Sequence, residues 1–517
     1  MAAGNTAAGR YAQLTSKRSS FLSRGWDCAE LTIPSLLPRN HATASGGSPA
    51  FHTPYQGLGA RGVNNLASKL LMALLPANQS IFRLTIDDFT LEELTGKPDA
   101  RAEIEKALGK IERAVGTEIE ATAVRPSIFE AFKQLITVGN ALLYVLPEGG
   151  VKVFKLDNYV VKRDPSGNVI EIVVKEQVSP LVLPEKTKRL LKDKGERESA
   201  DGTVDIYTWI RRKRGKFSVH QEVKGELVPG TKGTYPVEKT PWIPLRWVKI
   251  DGEDYGRSHV EEYIGDLRSL EGLTKAIVEG SAAAAKVLFL VDPNGITSER
   301  TIANAPPSAV RSGNAKDVSV LQVDKYADFR VALETVNRLE QRLAQAFLLT
   351  ASVTRQAERV TAEEIRLIAG ELEDALGGVY SVQSAEFQLP FVRRLMFQME
   401  QQGRLPSLPP DTVRPSIVAG MNALGRGHDL NRLMTFSQTA RQAVGDETFA
   451  EAVRGHDFIT RIGTSLSIDM DGLMRTEKEI AEGRRQNSQA RLMEQLGPEA
   501  MRQAGQQQIT AQQKGAS

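Results

Sequence analysis

Cysteine is nearly missing from this chain. Its 517 residues include one, Cys28, so neither an internal disulfide nor a thiolate metal cage can form. Assembly in a reducing compartment fits such usage. Histidine is sparse as well. The six, at positions 41, 52, 220, 259, 428 and 456, form no H-x-x-x-H pair and show no metal-ligand spacing. Net charge almost vanishes, because 66 Lys+Arg against 63 Asp+Glu leave +3. That excludes a protein working by sheer basicity, but not a local basic patch or ring. Long apolar runs are lacking too. The best candidate, residues 281–291, falls short of the ~20 residues a spanning helix needs and carries Lys286, so no direct membrane insertion is expected. Residues 1–10 have no apolar core and do not read as a secretory signal. What remains is ordinary globular composition, with 41% hydrophobic and 25% charged residues.

Catalytic signatures are absent. No G-x-x-x-x-G-K-[ST] occurs, which argues against a P-loop ATPase. One G-x-G-x-x-G does occur, from Gly57 through Gly59 to Gly62. The residues before it read as loop and not as the buried strand a dinucleotide site requires. The expectation is a flexible lead-in to a helix over 63–75. Asp469-Met470-Asp471-Gly472 resembles a calcium loop but lacks its third ligand and closing glutamate, so it reads as a turn. No G-x-S-x-G elbow is present. Neither an enzyme, a cofactor nor a metal is expected.

The hydrophobic period divides the chain. Helical spacing covers residues 10–37 in part, 63–75, 99–124 and 128–138, with a break at Arg125-Pro126. Short strands then follow at 141–146, 151–156, 159–163, 169–175, 204–211 and 216–223. Two basic runs interrupt them, at 186–194 and 211–216. Such runs are usually solvated loops or hairpin ends rather than nucleic-acid contacts. Next come two long helices, 258–286 and 328–349, about 44 Å and about 33 Å long. Between them lies a small tip with strands at 287–291 and 318–323. On the first helix Arg268, Lys275 and Lys286 share one face with Glu271 and Glu279, a charge-laced ladder that lines a passage or faces water. Residues 350–360 break the helical pattern and hold Arg355 and Arg359. A helix resumes near Thr361, with a kink expected at Pro390. A Pro-rich connector, 405–415, precedes further helices. The last 32 residues hold nine Gln and read as a fraying polar tail.

Several segments carry a resemblance. They are Leu31–Pro38 (LTIPSLLP), Gly62–Leu70 (GVNNLASKL), Thr137–Leu142 (TVGNAL), Gly252–Arg257 (GEDYGR) and, most telling, Glu358–Arg366 (ERVTAEEIR). In this order the chain resembles the portal, or head-to-tail connector, proteins of T7-like podoviruses. The resemblance implies an α+β, predominantly helical portal fold that assembles into a ring with a central DNA tunnel. The implied parts are a wing (1–255), a first stem helix (256–286), a clip (287–326) and a second stem helix (327–349). A tunnel loop (350–361), a wing return helix and connector (362–425), a crown (426–485) and the Gln-rich tail (486–517) follow.

It further implies a passive channel at one capsid vertex of the virion, assembled in the host bacterial cytoplasm. Twelve copies are usual. The implied partners are sequence-nonspecific double-stranded DNA, the terminase large subunit, tail adaptor proteins, capsid and scaffolding proteins, and internal core proteins at the crown. Arg355, Arg359, Arg268, Lys275 and Lys286 are the expected tunnel cations. Arg311 and Lys316 are the expected docking residues of the clip. For Arg355 and Arg359 the alternative is an ion pair between subunits, to Glu358 or Glu363. A tail adaptor or other structural ring is the alternative function. A nuclease or motor would need a carboxylate cluster or phosphate loop, and neither is recognisable.

Overall fold

The computed structural model describes residues 6–39, 52–76, 81–86, 98–185, 187–188, 203–284, 288–306, 308–321, 326–349, 378–406, 413–417 and 424–453, with isolated positions from 370 to 473. Contacts group the chain into two units: Met1–Arg101 with Lys110–Leu424, and Ala102–Gly109 with Gly425–Ser517.

In the first unit, α1 (Ala7–Glu30) starts where the Thr6 hydroxyl accepts the Gly9 N–H at 3.2 Å. Its buried residues Tyr11, Leu14, Arg18, Leu22, Gly25 and Ala29 recur every three or four positions and face the sheet. Arg18 is buried because its Nη1 donates to the carbonyls of Leu156, Asp157 and Tyr159 at 2.7–3.0 Å. α2 (Leu58–Leu74) begins five residues earlier than expected, with Gly57 as its N-cap. Gly59 and Gly62 are therefore not a flexible lead-in. They lie inside the helix and permit close approach. A Cβ on Gly59 would meet the Leu31 carbonyl at 2.6 Å, and one on Gly62 would meet Phe347 at 2.6 Å. After β1 (Phe82–Ile86) and α3 (Pro98–Ala121), α4 (Val124–Val138) starts behind Ala123, whose φ is +48°. The break thus precedes Arg125-Pro126. Pro126 occupies the first turn, where its missing N–H leaves no helical bond unmade.

The strands are β2 (Asn140–Val145), β3 (Val151–Phe154), β4 (Tyr159–Arg163), β5 (Val169–Val178), β6 (Val204–Lys213), β7 (Lys216–Val223), β8 (Glu226–Leu227), β9 (Gly233–Pro236) and β10 (Trp242–Arg246). β4 to β8 form an antiparallel meander in sequence order, and β9 also pairs with β7. β10, β2 and β3 make a second sheet, in which Trp242 lies opposite Tyr144 and their rings stack at 4.9 Å. Apolar residues of α1, α4 and both sheets close one core around Leu142, Tyr159, Ile172, Ile210 and Tyr255.

The expected first stem helix is interrupted. It forms a single turn, α5 (His259–Glu262), and then α6 (Ile264–Ala284) after a kink at Tyr263. The physical reason is packing, since the His259 and Tyr263 rings both turn toward Phe347. α6 has 21 residues, about 32 Å instead of the expected 44 Å. The tip contains β11 (Leu288–Val291), α7 (Glu299–Ala303) and β12 (Val318–Leu321), the two strands antiparallel. α8 (Tyr326–Ala346) returns along α6, and Phe329 fills the space left by Gly280. Further on come α9 (Gly378–Gln383), a π-helical turn (Ser384–Gln388) and α10 (Leu389–Gln401). The expected disturbance at Pro390 takes this form: the Leu389 N–H reaches back five residues to the Ser384 carbonyl. β13 (Val413–Ile417), which overlaps the expected connector, instead pairs with β1, Leu84 facing Pro415. In the second unit α11 (Leu424–Val444) and α12 (Asp446–Ala452) bring Phe436 and Phe449 together at 6.4 Å.

The two kinds of glycine give opposite expectations. Gly62→Val should cost about 1–3 kcal/mol by overpacking against Phe347 and lower the thermal midpoint by circular dichroism. Gly116→Ala on α3, whose Cβ would meet nothing within 4 Å, should leave it unchanged or raise it.

Candidate functional site

Three of the chain's signature segments, Gly62–Leu70, Thr137–Leu142 and Gly252–Arg257, meet near the root of the two long helices, whereas Glu358–Arg366 lies outside the described residues. α8 ends in a Schellman turn: the Leu349 N–H bonds the Ala344 carbonyl at 2.8 Å, and the Leu348 N–H bonds Gln345 at 3.0 Å. The left-handed position in this turn is Leu348, at φ +53°. A side chain there costs about 1–2 kcal/mol relative to glycine, so something must hold it. Asn65 Nδ2 donates to both the Phe347 and Leu348 carbonyls at 3.0 Å. Lys69 Nζ, with the residue only 2% exposed, also reaches the Leu348 carbonyl at 3.0 Å. His259 Nε2–H donates to the Ala346 carbonyl at 3.0 Å. Three donors thus satisfy the last carbonyls of α8, and a cation there complements the helix dipole. Asn65 and Lys69 are one helical turn apart on α2, on the same side as Gly62, which lets Phe347 close in.

His259 is enclosed by the rings of Trp247, Tyr263 and Phe347. Burial holds its pKa below the ordinary 6.5, although the bond to Ala346 works the other way. The ring is therefore neutral, with its proton on Nε2.

Two further segments interlock beside this root. Gly139 caps α4 at φ +82°, and a Cβ there would strike the Arg257 and Ser258 backbone at 2.7–2.8 Å. Asn140 exchanges two bonds with Gly256, at 2.8 and 2.9 Å. The Tyr255 hydroxyl accepts the Val161 N–H at 3.0 Å, and Asp254 accepts the Arg163 N–H at 2.7 Å. Arg163 is so enclosed that burial pushes its pKa down to about 10. Nearby, Arg246 pairs with Glu386 of the π-turn, which ties the return helix to β10.

The charge ladder of α6 is partly paired within the chain and remains exposed. Arg268 pairs with Asp27 of α1 at 3.0 Å. Glu271 accepts the backbone N–H groups of Tyr55 and Gln56 at 3.0 and 3.2 Å. Glu279 accepts the Tyr55 hydroxyl at 3.3 Å and lies 3.9 Å from Lys275. Arg268 and Lys275 keep more than half of their side chains exposed, at 57% and 51%. Lys286, Arg355 and Arg359 lie outside the described residues. Among the described residues of the ladder, Arg268 and Lys275 are thus paired within the chain.

The tip is organised by one carboxylate. Asp317 accepts the backbone N–H groups of Ile296 and Thr297 and the Thr297 hydroxyl, all at 2.9–3.0 Å. Arg311 and Lys316 are both exposed beside it. So are Phe289 at 56%, Ile296 at 88% and Val310 at 97%. Apolar exposure on this scale in a small tip marks a surface built to be covered.

Comparison with known proteins decides the family. Residues 4–474 match the family described as bacteriophage head to tail connecting protein. The chain belongs to this family. The portal protein of Escherichia phage T7 is 42% identical over 476 residues, 91% of this chain and 88% of that one. The portal protein of Enterobacteria phage T3 is 43% identical over 478 residues, with the same coverage. That of Enterobacteria phage SP6 is 29% identical, covering 92% of this connector and 91% of its own length. The α+β connector fold with helices predominating, expected from the sequence, is the fold observed. Sequence reading had not singled out Asn65, Lys69 or His259 of the connector. The only signal was that Asn65 and Lys69 fall inside the signature segment GVNNLASKL, one helical turn apart.

The buried, neutral His259 makes stability depend on pH. The unfolded chain takes up its proton near pH 6.5, whereas the folded chain resists. Stability should therefore hold above that pH and fall as pH drops through it. His259→Gln, which keeps an N–H donor, should show a shallower fall in thermal midpoint between about pH 7.5 and 5.5. Equal slopes for the two proteins would count against this account.

Proposed function

We propose that this connector forms the ring at one vertex of the capsid through which double-stranded DNA enters during packaging and leaves at infection. Twelve copies would surround the channel, without regard to DNA sequence and without chemistry of their own. The observation that carries the reading is identity above 40% to two phage portal proteins along 91% of the chain. The rod-and-tip geometry supports it. Val278, Val331 and Leu333 on the rods are 49–67% exposed, as are Phe289 and Leu290 near that level on the tip. Apolar surface left open on slender elements calls for neighbouring copies.

Electrostatics supports a channel that lets DNA slide. Duplex DNA carries about one charge per 1.7 Å, and each neutralised phosphate adds salt-dependent affinity. In the proposed channel Arg268 and Lys275 meet DNA while Asp27 and Glu279 temper their charge. Lys286, Arg355 and Arg359 supply the remaining phosphate contacts. The tip, with Arg311 and Lys316 exposed, would dock the terminase large subunit during packaging and the tail adaptor afterwards. Capsid, scaffolding and internal core proteins complete the proposed set of partners. The virion vertex is the proposed location, after assembly in the host cytoplasm.

The test separates ring from channel. Arg355→Ala with Arg359→Ala should leave rings intact by electron microscopy, with an axial hole of about 20 Å or more, and reduce DNA retained in filled heads several-fold. Retention at the wild-type level in ring-forming protein would remove these two residues from the channel.

A further inference from the structure

The β6–β7 hairpin ends in positive charge that the channel reading does not use. Arg211, Arg212, Lys213, Arg214 and Lys216 lie within six positions. A two-residue turn gathers them, with Arg214 and Gly215 both left-handed at φ +49° and +75°. The register puts Lys213 directly opposite Lys216, an unfavourable like-charge pair. None of the five makes an ion pair among the described residues, although Asp164 feels the charge of Arg212.

Alternation along the strands puts Lys213, Lys216, Ser218 and His220 on one face. α1 packs on this face around Val160, Val173 and Trp209 and reaches Glu222 through the Ala7 N–H. Past that cover, a concavity of about 640 Å³ opens, lined by Lys213, Ser218, His220, Leu227, Lys232 and Thr234. The carboxylates of Glu171 and Glu222 share this face, and both are occupied. Glu171, opposite Arg211, is bonded by Arg10 and Trp209. Glu222 accepts the Ala7 N–H at 2.6 Å and bonds His220 at 2.9 Å. β9, which borders the concavity, pairs only with β7 among the described strands, so its outer edge is open.

We infer that this basic concavity docks an extended acidic segment of a partner protein. Unpaired like charges held at one tip are relieved by a counter-charge from outside. The Ser218 and Thr234 hydroxyls and the open β9 edge suit a polypeptide, which can bond through its own backbone. The volume is that of a site for a short segment. Leu227, 37% exposed in its wall, suits interspersed side chains and does nothing for phosphates. A duplex would rest on a broader face, since even a single DNA-binding module buries about 600–1,000 Å² of protein.

The full-length assembled protein serves for the test, with a fluorescein-labelled ten-residue glutamate peptide followed by fluorescence anisotropy and a 20-base-pair duplex as comparator. The wild type should bind the peptide with affinity that falls as salt rises. Lys213→Gln, Lys216→Gln and Lys232→Gln together should weaken peptide binding at least tenfold and change duplex binding less than threefold, with the thermal midpoint unchanged. The single variant Lys232→Gln, outside the hairpin, should lose part of the affinity and guards against misfolding of the triple variant. The inference is overturned if the wild type does not bind the peptide or if the substitutions leave peptide binding intact. A loss of duplex binding as large as the loss for peptide would also overturn it, assigning the surface to nucleic acid.

Discussion

The last turn of α8 is the constraint on which the rest of the first unit depends. Its Schellman geometry demands a left-handed residue, and the chain supplies leucine where glycine would be unstrained. The strain persists because Asn65, Lys69 and His259 bond the carbonyls of three successive residues. Those donors come from α2 and α5, segments nearly 300 and 90 residues away in the chain. Fixing this turn fixes the root of α8, and hence the direction in which both rods and the tip project. It also fixes where the chain leaves toward residues 350–369, the stretch that holds Arg355 and Arg359.

Charge follows a different logic around the sheets and along the two long helices. Around the two sheets, the buried Arg18 and Arg246 and the part-buried Arg163 act as multivalent clamps on carbonyls and on Glu386. A guanidinium suits this because its donors fan out in one plane and it stays ionised even when burial lowers its pKa. Along α6 the ions are half-exposed and paired weakly with Asp27 and Glu279. Exposed pairs of that kind contribute little to stability. Their effect is to mute a positive face without erasing it.

Much of the local structure was legible in the residues. The meander from β4 to β7 follows from alternation and turn residues, and α1, α4 and α8 follow from apolar spacing. The misses share a cause. Gly59 and Gly62 look like a loop motif until Leu31 and Phe347 are brought against them. Tyr263 interrupts a good helical pattern because His259 and Tyr263 both pack on Phe347. Pro415 hides a strand whose partner, Leu84, lies more than 300 residues earlier. Each depends on a contact between distant residues, which no local window contains. The charged residues of α6 divide in the same way: the face that Arg268, Glu271, Lys275 and Glu279 share was readable, but not Asp27 of α1 or the Tyr55 and Gln56 donors that meet it.

The residues alone determined the fold class, the near-balance of charge, and the family, because ordered motifs persist along the chain. Periodicity and composition are local properties, and a linear record preserves them. Only the tertiary structure decided what the motifs are for. GVNNLASKL is a clamp on the end of α8, and TVGNAL with GEDYGR is an interlocking turn. These are facts of spatial proximity, and proximity is set by the packing of the whole core rather than by any segment within it.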